Sequence, residues 1–376
     1  MTGFLDDRGR RAGGMIRRAA ERIGPAPHPG AVRRRGRRRV LARTALVLLV
    51  VLGATVARRD LLPAVQPSGQ LGLRDLDPRV VAAIPIGQPG RRDAGNATPL
   101  VAADSTSVWV LDASNREVLR VDPRRNAVSR RIGISLGEGW EPVGVWAMAG
   151  SAWVLSGDGD GGAAMQRIDP ARARVAHTYR LPRSNFETPP DLVVADGALW
   201  LATDHGTLRI DRTSVRAEPL PGSGPGRVRL AVADGRVWAS SPPSTLSGID
   251  PRSGRVVHRI AGPAGADPLS DLAGDGGSLW VLAQGGSLQR LALPSGRVEA
   301  SLPLGEDFGT NPVTVVAAGG TVAAIGPKAL YLVDATGARV RAEVRLDAPG
   351  SVAVGAGAIW VADAYHGVLL RVDPGA

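Results

Sequence analysis

Near the end of the chain, from Val352 to Pro374, the sequence reads VAVGAGAIWVADAYHGVLLRVDP. It begins with an apolar strand, turns through Gly-Ala-Gly, and continues into a second strand with Trp360 at its centre. A polar loop follows, and then the motif Leu-x-Arg-Val-Asp-Pro. Asp followed by Pro is typical of a type I turn, because Asp accepts backbone hydrogen bonds and Pro fixes φ. We therefore expect three antiparallel strands of one sheet.

The same unit occurs seven times in the chain. Its tryptophan recurs at intervals of 37 to 47 residues, with Ala323 in its place in the sixth unit. The tryptophans are Trp109, Trp153, Trp200, Trp238, Trp280 and Trp360. Three residues earlier stand Gly150, Gly197, Gly235, Gly277, Gly320 and Gly357, with Thr106 as the exception in the first unit. Eight residues earlier stand Val101, Val145, Leu192, Leu230, Leu272, Val315 and Val352. The glycines predict hairpin turns with positive φ, and the aliphatic residues predict a buried inner strand.

The two ends of the repeat region complement each other. The last unit stops at Asp373-Pro374 without a fourth strand, whereas residues 77–87 form a turn and a fourth strand before the first unit. We therefore expect residues 77–87 to complete the blade that residues 350–373 begin. Four strands per unit, repeated seven times, predict an all-β, seven-bladed β-propeller over residues 75–376. Closure by the N-terminal strand removes open sheet edges that would otherwise aggregate.

These units resemble those of bacterial seven-bladed propellers of the YVTN and NHL-repeat kind and of the virginiamycin B lyase-like group. The resemblance covers roughly residues 75–376 and implies the propeller fold. It leaves the function open, because such propellers host both lyases and pure binding modules. The lyases of the group use a His-based acid/base site with a metal, yet this chain has no Glu-x-His motif. We expect His177 and His258 on outer strands, and His205 and His366 in loops.

The net charge of +11 lies entirely at the N-terminus. Residues 1–60 contain 15 Arg and 4 acidic residues, whereas residues 61–376 contain 31 basic and 31 acidic residues. Residues 40–57 are apolar apart from Arg43, whose long side chain can reach the headgroups. We expect a basic cytoplasmic tail (1–39), one transmembrane helix (40–57), a tether (58–74) and an extracytoplasmic propeller, because positive flanks stay inside.

A cleaved leader is the alternative for the same segment. Thr55-Val56-Ala57 is an acceptable small-x-small cleavage site, and Arg38-Arg39-Val40-Leu41 partly matches the twin-arginine export pattern. Both interpretations export residues 75–376; the second makes the protein secreted rather than a single-pass membrane protein. The apolar segment after the basic tail argues against nucleic acid as the partner of that tail.

Several kinds of chemistry have no motif in the sequence. The chain has no Cys, which excludes disulfides, thiolate metal sites and a Cys nucleophile. A phosphate-binding loop ending in Gly-Lys-Ser/Thr is also absent from the sequence. The Asp158-Gly-Asp160 loop has two carboxylates, but no third acidic residue follows at calcium-binding spacing. We expect no cofactor and no metal.

The mouth of the central channel is the predicted recognition site, since binding sites prefer concave surfaces. The inner strands begin nine residues before the Trp position, at Leu100, Gly144, Asp191, Arg229, Asp271, Thr314 and Ser351. Blades 3, 4 and 5 thus present Asp191, Arg229 and Asp271 side by side. Incoming loops add Trp140, Glu141 and Asn311, and Trp146 either contacts a partner or fills the channel.

Three interpretations of this mouth remain open. Its charges can form a rim that satisfies itself, a polar recognition site, or a pair of catalytic carboxylates. We expect a non-catalytic binding or sensor module for a cell-envelope protein or glycan. The alternative is an exported metal-dependent lyase or lactonase-like enzyme that uses Asp191 and Asp271, and a spacer without a specific ligand is a third hypothesis.

Overall fold

The computed structural model describes most of the region after residue 75. It covers residues 76–87, 99–134, 137, 139–183, 191–203, 206–211, 215–219, 228–241, 245–263, 269–283, 285–305, 314–346 and 349–375, with only the backbone of 216–219. These residues all belong to one compact unit of the chain, Gly69–Ala376. The predicted tail (1–39), transmembrane segment (40–57) and tether (58–74) lie outside them. Among the residues described, no helix is long and apolar enough to cross a membrane.

Within those ranges the chain forms seven four-stranded antiparallel sheets, which confirms the predicted all-β, seven-bladed propeller. Blade 1 contains β2 (Leu100–Ala103), β3 (Val108–Asp112), β4 (Glu117–Asp122) and β5 (Ala127–Gly133). Blade 2 contains β6 (Glu141–Met148), β7 (Ser151–Gly157), β8 (Ala163–Asp169) and β9 (Arg174–Leu181). Blade 3 contains β10 (Leu192–Ala195), β11 (Ala198–Thr203), β12 (Gly206–Ile210) and β13 (Val215–Pro219). Blade 4 contains β14 (Leu230–Ala233), β15 (Arg236–Ser241), β16 (Thr245–Ile249) and β17 (Val256–Ala261). Blade 5 contains β18 (Leu269–Asp275), β19 (Ser278–Ala283), β20 (Ser287–Ala292) and β21 (Val298–Pro303). Blade 6 contains β22 (Thr314–Ala318), β23 (Thr321–Ile325), β24 (Ala329–Asp334) and β25 (Arg339–Arg345). Blade 7 contains β26 (Pro349–Gly355), β27 (Ala358–Asp363), β28 (Val368–Val372) and, from the start of the chain, β1 (Val80–Pro85).

Blade 7 closes the ring with strands from both ends of the described region. β1 pairs antiparallel with β28, with Ile84 opposite Leu369 and Pro85 opposite Val368. This confirms that residues 77–87 contain the missing fourth strand. Ile84 is 1 % exposed and packs in a cluster with Trp360 of its own blade and Val101 of blade 1. Closure therefore buries apolar surface against two blades rather than only adding hydrogen bonds.

The hydrophobic core lies between neighbouring blades. All six repeat tryptophans are at most 2 % exposed, and the second strand of each blade is almost entirely buried. Trp109, for example, packs with Val145 and Ile168 of blade 2. Such strands are apolar on both faces because each blade has a neighbour on either side. The repeat spacing thus encodes seven interfaces rather than a single core.

An arginine of the third strand accompanies the buried tryptophan. Arg120 lies over Trp109, and Arg371 lies over Trp360, with 5.7 and 5.6 Å between guanidinium carbon and ring centroid. The Arg371 side chain also donates to the carbonyl of Pro123 in the Asp-Pro turn of blade 1, at 2.8 Å. Each arginine therefore adds a cation–π contact within its blade and, through the next blade's turn, a bond between blades.

The sixth unit lacks both members of this pair. Ala323 replaces the tryptophan, and Leu332 stands opposite it, where five of the other blades have arginine and blade 4 has Gly248. Without an aromatic face below it, a guanidinium would be buried there with no cation–π contact, and leucine fills the space instead.

The hairpin turns before the second strands adopt the backbone that their glycines predict. Gly197 and Gly235 have φ of 72° and 65°. Blade 5 differs, because Gly276 rather than Gly277 has the positive φ. Gly355 has another role: a Cβ there would lie 2.5 Å from the backbone oxygen of Asp104 in blade 1. Glycine at that position allows blades 7 and 1 to approach.

The Asp-Pro turns use their carboxylates as predicted. The Oδ1 atom of Asp169 accepts the backbone N–H groups of Ala171 and Arg172 at 2.9 and 3.0 Å. The Arg172 side chain also donates to Oδ2 at 2.8 Å. That side-chain bond, followed by the backbone bond from Arg172, lowers the pKa of Asp169 from 3.8 to about 2. Asp122, Asp250 and Asp334 also have lowered pKa values, chiefly because backbone N–H groups of their turns donate to these carboxylates.

These turns make the propeller sensitive to acid. The folded-state pKa of Asp169 lies below its ordinary value of 3.8, so its stabilising contribution is present above about pH 4 and is lost as the pH falls towards 2. We expect the melting temperature to fall over this window, and to fall less in Asp169→Asn than in wild type. Thermal melts across the window test this. An Asp169→Asn variant with an unchanged pH profile would contradict the assignment.

Candidate functional site

The seven inner strands surround a central cavity of about 470 Å³. Each inner strand contributes four consecutive residues to its lining, mostly Ala, Val and Leu. All seven positions that the sequence placed nine residues before the Trp position line this cavity, including Asp191, Arg229 and Asp271. These three are the only charged residues in the described lining. The volume suits a small molecule or one end of a larger ligand.

Polar side chains at alternate blades hold the next inner strand in place. Asp191 Oδ2 accepts the backbone N–H of Leu230 at 2.8 Å, and Asp271 Oδ2 accepts that of Val315 at 2.7 Å. Ser351 Oγ accepts the N–H of Val101 at 2.9 Å across the closure point. Blades 3, 5 and 7 thus bond to blades 4, 6 and 1. The carboxylates predicted for recognition also have this structural role, which supports the interpretation of a rim that satisfies its own charges.

Arg229 is the one cation among the described residues of the cavity lining, and it is only 6 % exposed. Its Nε donates to the carbonyl of Ser270 at 2.8 Å and lies 3.8 Å from Asp271 Oδ1. Its backbone N–H donates to Ser240 Oγ at 2.8 Å. Among the described residues, the two Nε contacts are the only ones that its side chain makes, so neither terminal nitrogen has a partner there. A guanidinium has five N–H donors, and four of them belong to those two atoms.

Trp146 belongs to the cavity wall, although the sequence left its role open. Its indole lies directly over Gly144, and a Cβ at that position would overlap the ring. The ring is partly buried against the cluster of Trp153 and Leu192, which lies between blades 2 and 3. The glycine at the mouth position of blade 2 therefore makes room for an aromatic side chain two residues later.

Trp140 and Glu141, which were also predicted as site residues, are not part of the described cavity lining. Glu141 is the exposed first residue of β6 and pairs with Arg116 at 2.6 Å. Trp140 precedes it, and Arg180 of β9 lies over its ring, 4.6 Å from the centroid. Asn311 is not among the described residues. The structure thus brings Asp191, Arg229 and Asp271 together and places Trp140 and Glu141 farther out, beside blade 1 and the outer strand of blade 2.

The histidines do not form a catalytic group among the described residues. His366 is a turn residue: its backbone N–H donates to Asp363 Oδ1 at 3.0 Å, and its Nδ1 lies 2.8 Å from Oδ2. Asn115 makes the same two bonds to Asp112 in blade 1. A neutral amide replaces the imidazole at the equivalent position, so the Asp–His pair closes a turn. His177 and His258 lie on the outer strands β9 and β17, and His205 is outside the described residues.

The carboxylates of the Asp158-Gly-Asp160 loop also serve the backbone. Asp158 Oδ1 accepts the N–H groups of Asp160 and Gly162 at 2.9 and 2.8 Å. Across the described ranges, no group of three or more His, Asp or Glu side chains is arranged to hold a metal ion.

No protein-family profile and no curated protein sequence matches this chain. Solved structures do show the same fold. A streptogramin B lyase structure matches with a TM-score of 0.59 at 11% identity, over 78% of this chain and 96% of that one. The β-propeller domain of Cps50 (Swd1) from Myceliophteria thermophila matches with a TM-score of 0.57 at 14% identity, over 78% and 98%. Hydrazine synthase from Kuenenia stuttgartiensis matches with a TM-score of 0.58 at 15% identity, over 76% and 98%. These similarities show the propeller fold, and the three proteins differ in function.

Proposed function

We propose that this chain is a membrane-anchored, extracytoplasmic propeller that binds a cell-envelope protein or glycan at the channel mouth without catalysis. Arg229 is the observation that carries the proposal. Burying a guanidinium is costly unless its donors are satisfied, and hydrogen bonds to charged groups are among the strong ones. Two terminal nitrogens without partners among the described residues, on a residue that lines a cavity, provide the donors that a ligand would accept.

The charges around Arg229 limit the chemistry of that ligand. Among the residues that the structure describes, two carboxylates and one guanidinium line the cavity, so this part of the wall has more negative than positive charge. An anionic ligand would be repelled by Asp191 and Asp271, whereas a neutral group with acceptor oxygens would not. Sugar hydroxyls and peptide carbonyls have that property, and both occur in the cell envelope. The aromatic ring of Trp146 and the aliphatic wall supply apolar contact for the rest of the ligand.

The location is supported by the N-terminal sequence alone. Of the fifteen arginines in residues 1–60, fourteen flank the apolar stretch at residues 40–57 and only Arg43 lies within it, while residues 61–376 have no net charge. This asymmetry is typical of a single-pass protein whose N-terminus stays in the cytoplasm. A secreted form, released after Ala57, would keep the same propeller and the same mouth.

The enzyme alternative uses the same two carboxylates. Asp191 and Asp271 line one cavity, which is what a metal-dependent lyase or lactonase would need. Against it stand their bonds to the backbone of blades 4 and 6. Metal analysis of the purified protein separates the two functions: a stoichiometric divalent ion, with loss of an activity on chelation, would favour the enzyme.

Affinity capture with matched arginine variants tests the binding function. Immobilised full-length protein would be exposed to solubilised cell envelope, beside Arg229→Gln and Arg259→Gln. Glutamine retains a donor for the Ser270 carbonyl, and Arg259 lies on the outer strand β17. We expect a component that wild type and Arg259→Gln retain and that Arg229→Gln loses by about tenfold or more, the effect of one lost charged hydrogen bond.

The choice of Arg229 avoids a structural artefact. Alanine at Asp191 or Asp271 would leave the backbone N–H of Leu230 or Val315 without its acceptor, which alone costs about 1–3 kcal/mol. A component retained equally by all three proteins, with equal melting temperatures, would contradict recognition through Arg229.

A further inference from the structure

The outer wall of the propeller has an uneven charge distribution around the ring. β1 forms the wall of blade 7 and has no charged residue, with Val81 45 % exposed. On one side lies β25 of blade 6, with Arg339, Arg341 and Arg345; on the other lies β5 of blade 1, with Arg130 and Arg131. All five arginines are exposed. A partly apolar strand is thus flanked by two basic ones.

The three strands are neighbours around the ring. Val344 of β25 packs in the cluster that holds Val80 of β1. Val128 of β5 packs against the cluster that holds Ile84 of β1. The face formed by β25, β1 and β5, which we call the blade 7 wall, is therefore continuous.

The outer strands of blades 4 and 5 lack this charge. β17 of blade 4 has Arg259 as its one Lys, Arg, Asp or Glu residue, and β21 of blade 5 has only Glu299. These two strands together are neutral, whereas the blade 7 wall has five arginines against one acidic strand residue, Glu343. Val257 on β17 is nevertheless comparable to Val81 in residue type and exposure, since it is a valine that is 49 % exposed.

Partial ion pairing leaves this charge accessible. Arg339 and Arg341 share one carboxylate, that of Asp334, at 3.6 and 3.1 Å. Arg345 lies 3.6 Å from Glu343, yet its side chain is 90% exposed. The pair of Arg345 with Glu343 and that of Arg131 with Glu117, at 3.3 Å, are exposed or partly exposed. Such pairs contribute little free energy, so the Arg345 and Arg131 side chains can turn towards another anion at small cost.

The blade 7 wall is also where the chain enters the propeller. Only the tether, residues 58–74, lies between the predicted transmembrane segment and the turn that begins this blade. Seventeen residues span at most about 60 Å even when fully extended. If residues 40–57 span the membrane, β1 is the strand whose distance from the bilayer the chain limits most directly.

We propose that the blade 7 wall docks on an anionic lipid surface, with Val81 at the interface and the arginines of β5 and β25 on lipid phosphates. The proposal rests on the membrane anchor of the proposed function. Clustered basic side chains near a bilayer are attracted to anionic headgroups, and an apolar residue between them adds contact at the interface. Docking by this side wall would leave both ends of the channel facing away from the bilayer, so that the channel mouth stays open to the envelope.

The absence of cysteine from the chain permits a matched labelling experiment. Full-length Val81→Cys and Val257→Cys would each be labelled with an environment-sensitive fluorophore and reconstituted into nanodiscs that contain a headgroup spin-label quencher. Discs of phosphatidylglycerol and of phosphatidylcholine separate charge attraction from simple proximity. A third protein, Val81→Cys with Arg130→Ser and Arg345→Ser, tests the arginines themselves.

We expect strong quenching at position 81 and little at position 257 on anionic discs. The difference should shrink on phosphatidylcholine and at about 1 M salt, where the Debye length is about 3 Å. The serine variant should lower the docked-to-free ratio by about fivefold per arginine. Equal quenching at both positions, in protein that stays in the discs, would overturn wall docking and leave the anchor intact. Protein that does not enter discs would overturn the anchor and the docking together.

Discussion

Ile84→Asp is expected to unfold the propeller, although it changes one residue in a peripheral strand. Ile84 is 1 % exposed and packs with Trp360 and Val101 on both sides of the closure point. Aspartate removes that apolar contact and places a carboxylate where no partner is available. Loss of the side chain costs about 2–5 kcal/mol, and the buried charge adds to it. The sum is comparable to the whole stability of a typical domain.

Val81→Asp is the matched control on the same strand. Val81 is 45 % exposed, so the same charge stays in water there and should change the unfolding free energy by less than about 0.5 kcal/mol. Urea unfolding and light scattering distinguish the two variants. We expect early unfolding and aggregation of Ile84→Asp, since an open blade 7 exposes the edge of β28. A soluble Ile84→Asp protein with the wild-type transition would show that the ring does not depend on β1.

Trp360→Ala should have the second largest effect, with a loss of about 3–5 kcal/mol. The residue is 0 % exposed, and its Nε1 donates to the carbonyl of Gly355 at 3.0 Å. Removal also takes the ring from beneath Arg371, which bonds blade 1 through the Pro123 carbonyl. One substitution therefore weakens the packing of blade 7 and its link to blade 1.

Trp146→Ala provides the comparison for this tryptophan. Its ring lies at the cavity wall and is only partly buried, so we expect a loss of about 1–2 kcal/mol. Denaturant unfolding monitored by circular dichroism gives both values without relying on tryptophan emission. Equal losses for the two variants would contradict the assignment of the repeat tryptophans to the interfaces between blades.

Much of the fold was predictable because the same sequence unit occurs seven times in the chain. Seven aliphatic positions at one offset from the Trp position indicated the inner strand, and glycines such as Gly197 indicated the turns. Ring closure was also predictable. The last unit lacks a fourth strand, and residues 77–87 contain an additional strand before the first unit. The contact between Arg120 and Trp109 was not predictable in the same way. The sequence shows an arginine that recurs in the repeat unit, but its contact with the tryptophan depends on the register between β3 and β4.

The site was predictable in position but not in bonding. The offset of nine residues placed Asp191, Arg229 and Asp271 at the cavity, where the structure has them. Their hydrogen bonds join residues in different blades, such as Asp191 and Leu230, which are 39 positions apart. No local pattern encodes such contacts, because they arise from the angle between neighbouring blades. For the same reason, the bond from the Val315 N–H to Asp271 could not be predicted from the sequence.

Photo-crosslinking from the mouth tests the central claim most directly. Benzoylphenylalanine would replace Trp146 in the cavity wall, and Val298 on the outer strand β21 as the control, in full-length protein mixed with solubilised envelope. Val298 is 42 % exposed, so it is open to any adventitious contact. Our account predicts a discrete crosslinked product from position 146 that Arg229→Gln abolishes, and none from position 298. The same products from both positions, or a product at 146 that persists in Arg229→Gln, would contradict recognition at the mouth.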